Sequence, residues 1–174
     1  MLRNLLIYRL VLLNALGFAG VAWAAIHGYV GMVFADEKTG IGYALVALFA
    51  FGLVSTAIRA WKVSHALNAL KAGKWVDGSK FAIKQAFIGD IATWLVTGGL
   101  IGNIVGFAVA VQGLDLSGGQ DAALAAIGQM LGGMKVAFYT TLLGTLLGLW
   151  IDVNRRMLDT ATALLAMDAE KRHV

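Results

Sequence analysis

Cysteine and proline are both missing from this chain, and charge is scarce. Without cysteine there is no disulfide framework and no thiolate metal site, and the redox compartment cannot be read. Without proline, no helix is made to kink or stop by a ring that has no N–H to donate. Only 14% of the residues are Asp, Glu, Lys or Arg, where an average soluble domain has about 25%. With 59% hydrophobic residues and a mean hydropathy of +0.77, most side chains cannot face water. Membrane protein is the class that fits. No P-loop, Gly-x-Ser-x-Gly, His-Glu-x-x-His or dinucleotide fingerprint occurs. His27, His65 and His173 lie far apart and show no metal-ligand spacing with acids. Nothing here points to an enzyme, a cofactor or a nucleic-acid partner.

What the chain does have is long apolar runs. A spanning helix needs about 20 mainly apolar residues. Leu10–Phe34 supplies one, Thr39–Ile58 a second and Ile91–Leu114 a third. Val136–Ile151 is short alone, so its helix is expected to begin earlier, near Asp121, with Lys135 snorkelling outward. The spans are therefore placed at about 10–34, 39–58, 88–112 and 130–153. The arginines ahead of the first run suggest a signal peptide. The run exceeds an h-region of about 7–15 residues, however, and a retained first span is the expectation.

Charge placement orients these spans. Arg59–Asp90 holds Arg59, Lys62, Lys71, Lys74, Lys80 and Lys84 against Asp77 and Asp90. Arg3 and Arg9 precede the first span, and Arg155, Arg156, Lys171 and Arg172 follow the fourth. The turn at 35–38 and the connector at 113–121 carry Asp36, Glu37, Asp115 and Asp121, with Lys38 the only base. Positive charge marks the cytoplasmic side. The expected fold is an all-α polytopic membrane protein, a single membrane domain over 1–174. It has four transmembrane helices, long third and fourth helices and both termini cytoplasmic. An amphipathic cytoplasmic segment covers 59–87, and a cytoplasmic C-terminal helix covers 154–174. Within the former, Val63, Ala66, Leu67 and Leu70 share a face, Gly73 is a helix stop, Asp77-Gly78 a turn and Ser79 a cap. That segment reads either as a docking surface or as helices lying at the interface with Trp61 and Trp75 as anchors.

The polar residues inside the spans are few. Gly98, Gly102 and Gly106 repeat every four residues beside Gly99, a spacing that lets two backbones approach. Asn103 lies in that groove and needs a protein or water partner, as a clamp between helices or as the lining of a conduit. On the fourth span Thr141, Thr145, Gly148 and Asp152 share one face, with Thr140 and Gly144 beside them. A helical Thr can simply bond back to a carbonyl one turn earlier. A row of hydroxyls can also support water or meet a carboxyl group. Asp152, next to Arg155 and Arg156, reads as an interfacial charge in a local ion pair, and His27 as an interfacial or packed histidine. No acid lies in the middle of any span. The chain is thus either no conductor or half of one.

Gly99-Leu-Ile-Gly-Asn-Ile-Val-Gly-Phe107 and Gly133-Met-Lys-Val-Ala-Phe-Tyr-Thr-Thr-Leu-Leu-Gly144 resemble the MotA/TolQ/ExbB proton-channel family. Its members carry Gly-Leu-x-Gly-Thr-x-x-Gly on one span and Gly-x-x-x-Ala-x-x-x-Thr-x-x-Gly on the next. Gly133, Ala137, Thr141 and Gly144 fall on the second pattern. The resemblance covers roughly residues 88–156. It implies a homo-oligomeric ring of five in the bacterial inner membrane, around a single-span MotB/TolR/ExbD-like protein whose Asp carries the proton. It further implies that Thr141 is the pore threonine, with Asn103 where the third span usually has Thr, and with Thr145 and Thr140 as further partner-facing groups. Gly98, Gly99, Gly102, Gly106, Gly144 and Gly148 are then helix-packing positions. Val136 stands where TolQ and ExbB carry Glu, and the proline near the end of the family's last span is missing, with Trp150 nearby. The inner segment is also far shorter than the motor branch's domain, so a reduced relative with a different effector fits better than a flagellar stator. The rival reading is a structural membrane protein whose Thr and Gly faces serve packing alone.

Overall fold

A backbone in hydrocarbon must satisfy its own N–H and C=O groups, which an α-helix does within one segment. The computed structural model describes residues 2–35, 37, 39–73, 79–112 and 119–170, and its regular structure is entirely α-helical. The helices are α1 (Leu2–Ile26), α2 (Tyr29–Ala35), α3 (Ile41–Lys71), α4 (Ser79–Val111) and α5 (Gly119–Glu170). Four of them, α1, α3, α4 and α5, are long and apolar enough to cross a membrane. Outside the described residues lie Asp36, Lys38, Lys74, Trp75, the Asp77-Gly78 turn, Asp115 and Lys171 to His173. The side chains of Arg3, Lys71, Ser79, Lys80 and Lys84 are likewise not described.

Three boundaries differ from the sequence expectation. The run over 10–34 is not one helix: it breaks at His27-Gly28, where Gly28 adopts φ +79. Glycine enters that left-handed region without steric cost, so apolar character alone could not reveal the break. The His27 Nδ1 lies 2.9 Å from the Trp23 carbonyl oxygen, and its ring forms an exposed cluster with Trp23 and Tyr29, with ring centres 4.4 Å and 6.4 Å away. Next, residues 59–71 are no separate amphipathic helix but the continuation of α3. It ends at Lys71, and Gly73 takes φ +78 while its N–H donates to Leu70 O. Residues 79–87, by contrast, run straight into the third span as expected of the helix that starts at Ser79. Finally, 154–170 continues the fourth span, giving α5 52 residues, or about 78 Å at 1.5 Å per residue. Charges at 59–62 and 152–156 read as helix ends, yet a helix leaves the bilayer without unwinding.

The packing is layered by polarity of contact. α4 and α5 run antiparallel against each other through small residues. A Cβ at Gly106 would lie 2.8 Å from the Ala137 backbone N, and one at Gly144 would lie 2.5 Å from the Leu95 carbonyl oxygen. Gly99 faces Thr140 and Gly144, while Gly133 sits against Ala110. Gly98 turns away from this seam, toward Leu45 of α3. The face toward α5 is thus Gly99, Gly102 and Gly106, not the Gly98 register. α3 lies on the pair through a stripe of Leu45, Phe49, Ala60, Val63, Leu67 and Leu70, buried with Ile88, Ile91, Leu95, Ile151, Leu158 and Leu165. Its start is capped by Glu37, whose Oε2 accepts from Gly42 N at 2.7 Å, an acid at a helix N-terminus. α1 is the outermost helix. Only 6% of its most apolar window is buried, and Tyr8, Leu12, Leu16 and Trp23 are exposed on its outer surface.

Gly144→Leu is expected to cost about 1–3 kcal/mol by overpacking the α4–α5 seam. Gly128→Ala, with nothing within 4 Å of its added methyl, is expected to gain up to about 1 kcal/mol of helix propensity. Unfolding of the purified protein in detergent measures both, and equal effects would contradict the seam.

Candidate functional site

Close backbone approach puts a hydroxyl within reach of the neighbouring helix. Thr141 Oγ1 donates to Gly99 O across the seam at 3.3 Å and to Ala137 O on its own helix at 3.2 Å. Gly99 falls near the middle of the α4 span Ala86–Val111, so this contact lies deep in the membrane. One turn on, Thr145 is exposed and donates to Thr141 O at 2.8 Å. Thr140 is buried, 2% exposed, and bonds back to Val136 O and Ala137 O. It packs on Gly102.

A groove of about 520 Å³ runs along one flank of the seam. Thr93, Val96 and Thr97 line it from α4; Thr145, Gly148, Asp152 and Arg155 line it from α5. α3 and α1 reach α5 on another face, through Ile151, Trp150 and Asn154. The stripe of Thr145, Gly148 and Asp152 therefore lies away from α1 and α3, on the α4 side of α5, where Gly148 packs against Ala92 and Val96.

At the groove's end, Asp152 is held by two arginines, 2.8 Å from Arg155 Nη2 and 2.8 Å from Arg156 Nε. Arg155 also reaches Asp159 at 2.7 Å, and its stem crosses to Gly89 of α4. Asp152 is thus a member of a local ion-pair chain. Such a chain marks the polar boundary of a span.

The residues singled out from sequence part ways here. Thr145 lines the groove, and Thr141 sits beside it on the seam. Thr140 is turned into the helix pair, with its hydroxyl out of the groove. Asn103 is half-buried, and its Oδ1 is enclosed with no hydrogen-bond partner. A buried amide oxygen left without a donor costs about 1–3 kcal/mol. Lys135 lies over the Tyr139 ring at 5.8 Å.

Sequence reasoning passed over two features. Thr93 and Thr97, four residues apart, complete the groove from the α4 side; their spacing was the available signal. The second is a clamp on α1. Asn14 Nδ2 donates to Asn154 Oδ1 at 2.8 Å and to Leu10 O at 2.7 Å, while Trp150 Nε1 donates to Asn14 Oδ1 at 2.9 Å. Asn154 is fully buried, and Trp150 also packs on Phe18 and Phe49. An Asn inside an uncharged apolar run was itself a sign of a partner.

The groove's chemistry follows from its hydroxyls. Thr145 and Thr93 each spend their proton on a carbonyl of their own helix. The lone pairs left on each oxygen can accept. Such a surface suits a neutral carboxylic acid or water. Among the described residues no group of three His, Asp or Glu is placed to hold a metal ion. No family model, curated protein or solved structure matches the chain.

Asn14→Leu and Asn154→Leu are each expected to destabilise the protein by about 1–2 kcal/mol, since each strands a buried partner. The double variant should cost less than the two together, with a coupling of about 1 kcal/mol. Unfolding in detergent across the four proteins measures this; strict additivity would remove the clamp.

Proposed function

We propose that this chain is the ring-forming subunit of a membrane complex driven by the proton-motive force. It works beside a single-span partner whose intramembrane Asp carries the proton. One observation carries the reading: threonine oxygens line an open groove at membrane depth, on the flank turned away from α1 and α3. Hydrocarbon offers hydroxyls nothing, so the groove faces protein or water. The chain brings no acid of its own to that depth, which leaves the proton-carrying group to a partner.

In this mechanism the partner's Asp takes up a proton from one side of the membrane, passes the groove protonated and releases the proton to the other side. Its O–H donates to Thr145 and then to neighbouring threonine oxygens, while the carboxylate form is disfavoured by the apolar surroundings at that depth. Thr141, on the seam with Gly99, holds the groove's wall at fixed spacing. Asp152, Arg155 and Arg156 form the charged mouth. The basic inner segments support placing both termini on the cytoplasmic side, and the resemblance of the paired spans to the MotA/TolQ/ExbB family supports five copies in a bacterial inner membrane.

A second reading is a non-conducting structural protein. It is favoured by the back-bonding of Thr140, Thr141 and Thr145, each of which already has an acceptor on its own helix. Native mass spectrometry of the extracted protein separates the two: a pentamer is expected, and a monomer would exclude the ring.

Thr145→Val and Thr141→Val are each expected to slow proton flux roughly tenfold in vesicles carrying the assembled complex, as loss of about 1.4 kcal/mol would. Thr160→Val, back-bonded to Arg156 O away from the groove, should leave flux unchanged. Wild-type flux in both groove variants would favour the structural reading.

A further inference from the structure

Arg59 belongs neither to the groove nor to the ion-pair chain at its mouth. It lies on α3, about 27 Å from Ile41 at 1.5 Å per residue. A hydrocarbon core is about 30 Å thick, so a span that begins at Ile41 brings Arg59 to the opposite headgroup boundary. Its guanidinium carbon stands 5.9 Å from the centre of the Phe87 ring of α4. Its Nη1 is buried and has no hydrogen-bond partner. Among the described residues no carboxylate pairs with it, whereas Arg155 and Arg156 are both paired.

A guanidinium has five N–H donors in a planar fork and always carries its charge. Enclosing its Nη1 without an acceptor is costly, and here only a ring face compensates. What is missing is a planar acceptor of opposite charge. Phosphate matches the fork bidentately. The surroundings indicate what the phosphate is attached to. From Arg59 toward the membrane centre, Phe51, Phe87 and Trp94 form a chain of edge-to-face rings, with centres 6.3 Å and 5.9 Å apart. All three are exposed, at 54%, 37% and 51%. An acyl chain lies along such a surface, and a soluble phosphate has no use for it.

We propose that the exposed α3–α4 face headed by Arg59 is a binding site for one anionic phospholipid. The phosphate is gripped by the Arg59 guanidinium, and an acyl chain runs over Phe87, Phe51 and Trp94. A phosphate oxygen that reaches Nη1 gives the enclosed donor its missing acceptor. The site holds the lipid between two helices that otherwise meet through apolar contacts at this level, and it rests on no reading of the groove between α4 and α5.

The test uses nanodiscs of equal parts phosphatidylglycerol and phosphatidylcholine. Protein is released from them and weighed with its retained lipid by native mass spectrometry. Wild type is expected to keep phosphatidylglycerol in preference, and Arg59→Gln to lose that preference by about tenfold, the weight of a charge-assisted pair. Arg9→Gln, an exposed cation on α1, is expected to retain it. Equal loss in both variants would mean diffuse attraction to a basic surface and overturn the site, as would an unchanged Arg59→Gln. If Arg59→Gln does not fold, Arg59→Lys keeps the charge but not the fork. A smaller fall in preference is then expected, and no fall overturns the proposal. Excess inorganic phosphate should leave the lipid bound; its displacement would overturn the assignment to a lipid.

Discussion

The distance between the α4 and α5 backbones determines where every polar group in the membrane can act. With Gly99 against Gly144 and Gly106 against Ala137, the helices lie close enough for a threonine hydroxyl to reach a carbonyl across the seam. In lipid there is no hydrophobic gain from pressing two apolar helices together, so contact must come from van der Waals fit and hydrogen bonds. Small residues supply the first and permit the second. The larger residues are displaced to the flanks, where Val96, Thr97, Thr145 and Leu149 form the walls of a groove. Neither the groove nor the threonine spacing survives if the seam widens.

α1 is held on a different principle. It shares little surface with the rest of the chain, and most of its apolar side chains face outward. Its hold on α5 is the Asn14–Asn154–Trp150 cluster, where amides and an indole satisfy one another inside the membrane. Gly17 lets the Trp150 ring lie flat against α1. One helix pair is thus joined by the absence of side chains and another by the presence of polar ones. Both solutions place their hydrogen bonds where water does not compete.

Much of the architecture was readable from run length and charge, because a membrane-spanning helix has few other options. Four spans and the all-α class follow from that constraint alone. The break at Gly28 did not, because glycine is as permissive in a helix as in a left-handed turn, and only the surrounding packing decides. The continuous course of α3 through Arg59 and of α5 through Arg155 was also hidden, since charges mark the edge of the bilayer and not the end of a helix. On the fourth span, the Thr141–Thr145–Gly148–Asp152 face was legible from periodicity. Which helices covered its flanks was not, and that assigned Thr140 to the interior and Thr97 to the groove. The Asn14–Asn154 pair joins the first helix to the last, a separation that local patterning does not span.

α5 carries one further consequence. Its 52 residues form an unbroken helix, while the hydrocarbon it crosses is about 30 Å thick. A rod of about 78 Å pivoted near its middle moves each end by roughly 3 Å for a tilt of about 5°. Without proline or a change of helix there is no joint to absorb that tilt. A tilt at the level of Gly144 would therefore be carried to both ends of the helix.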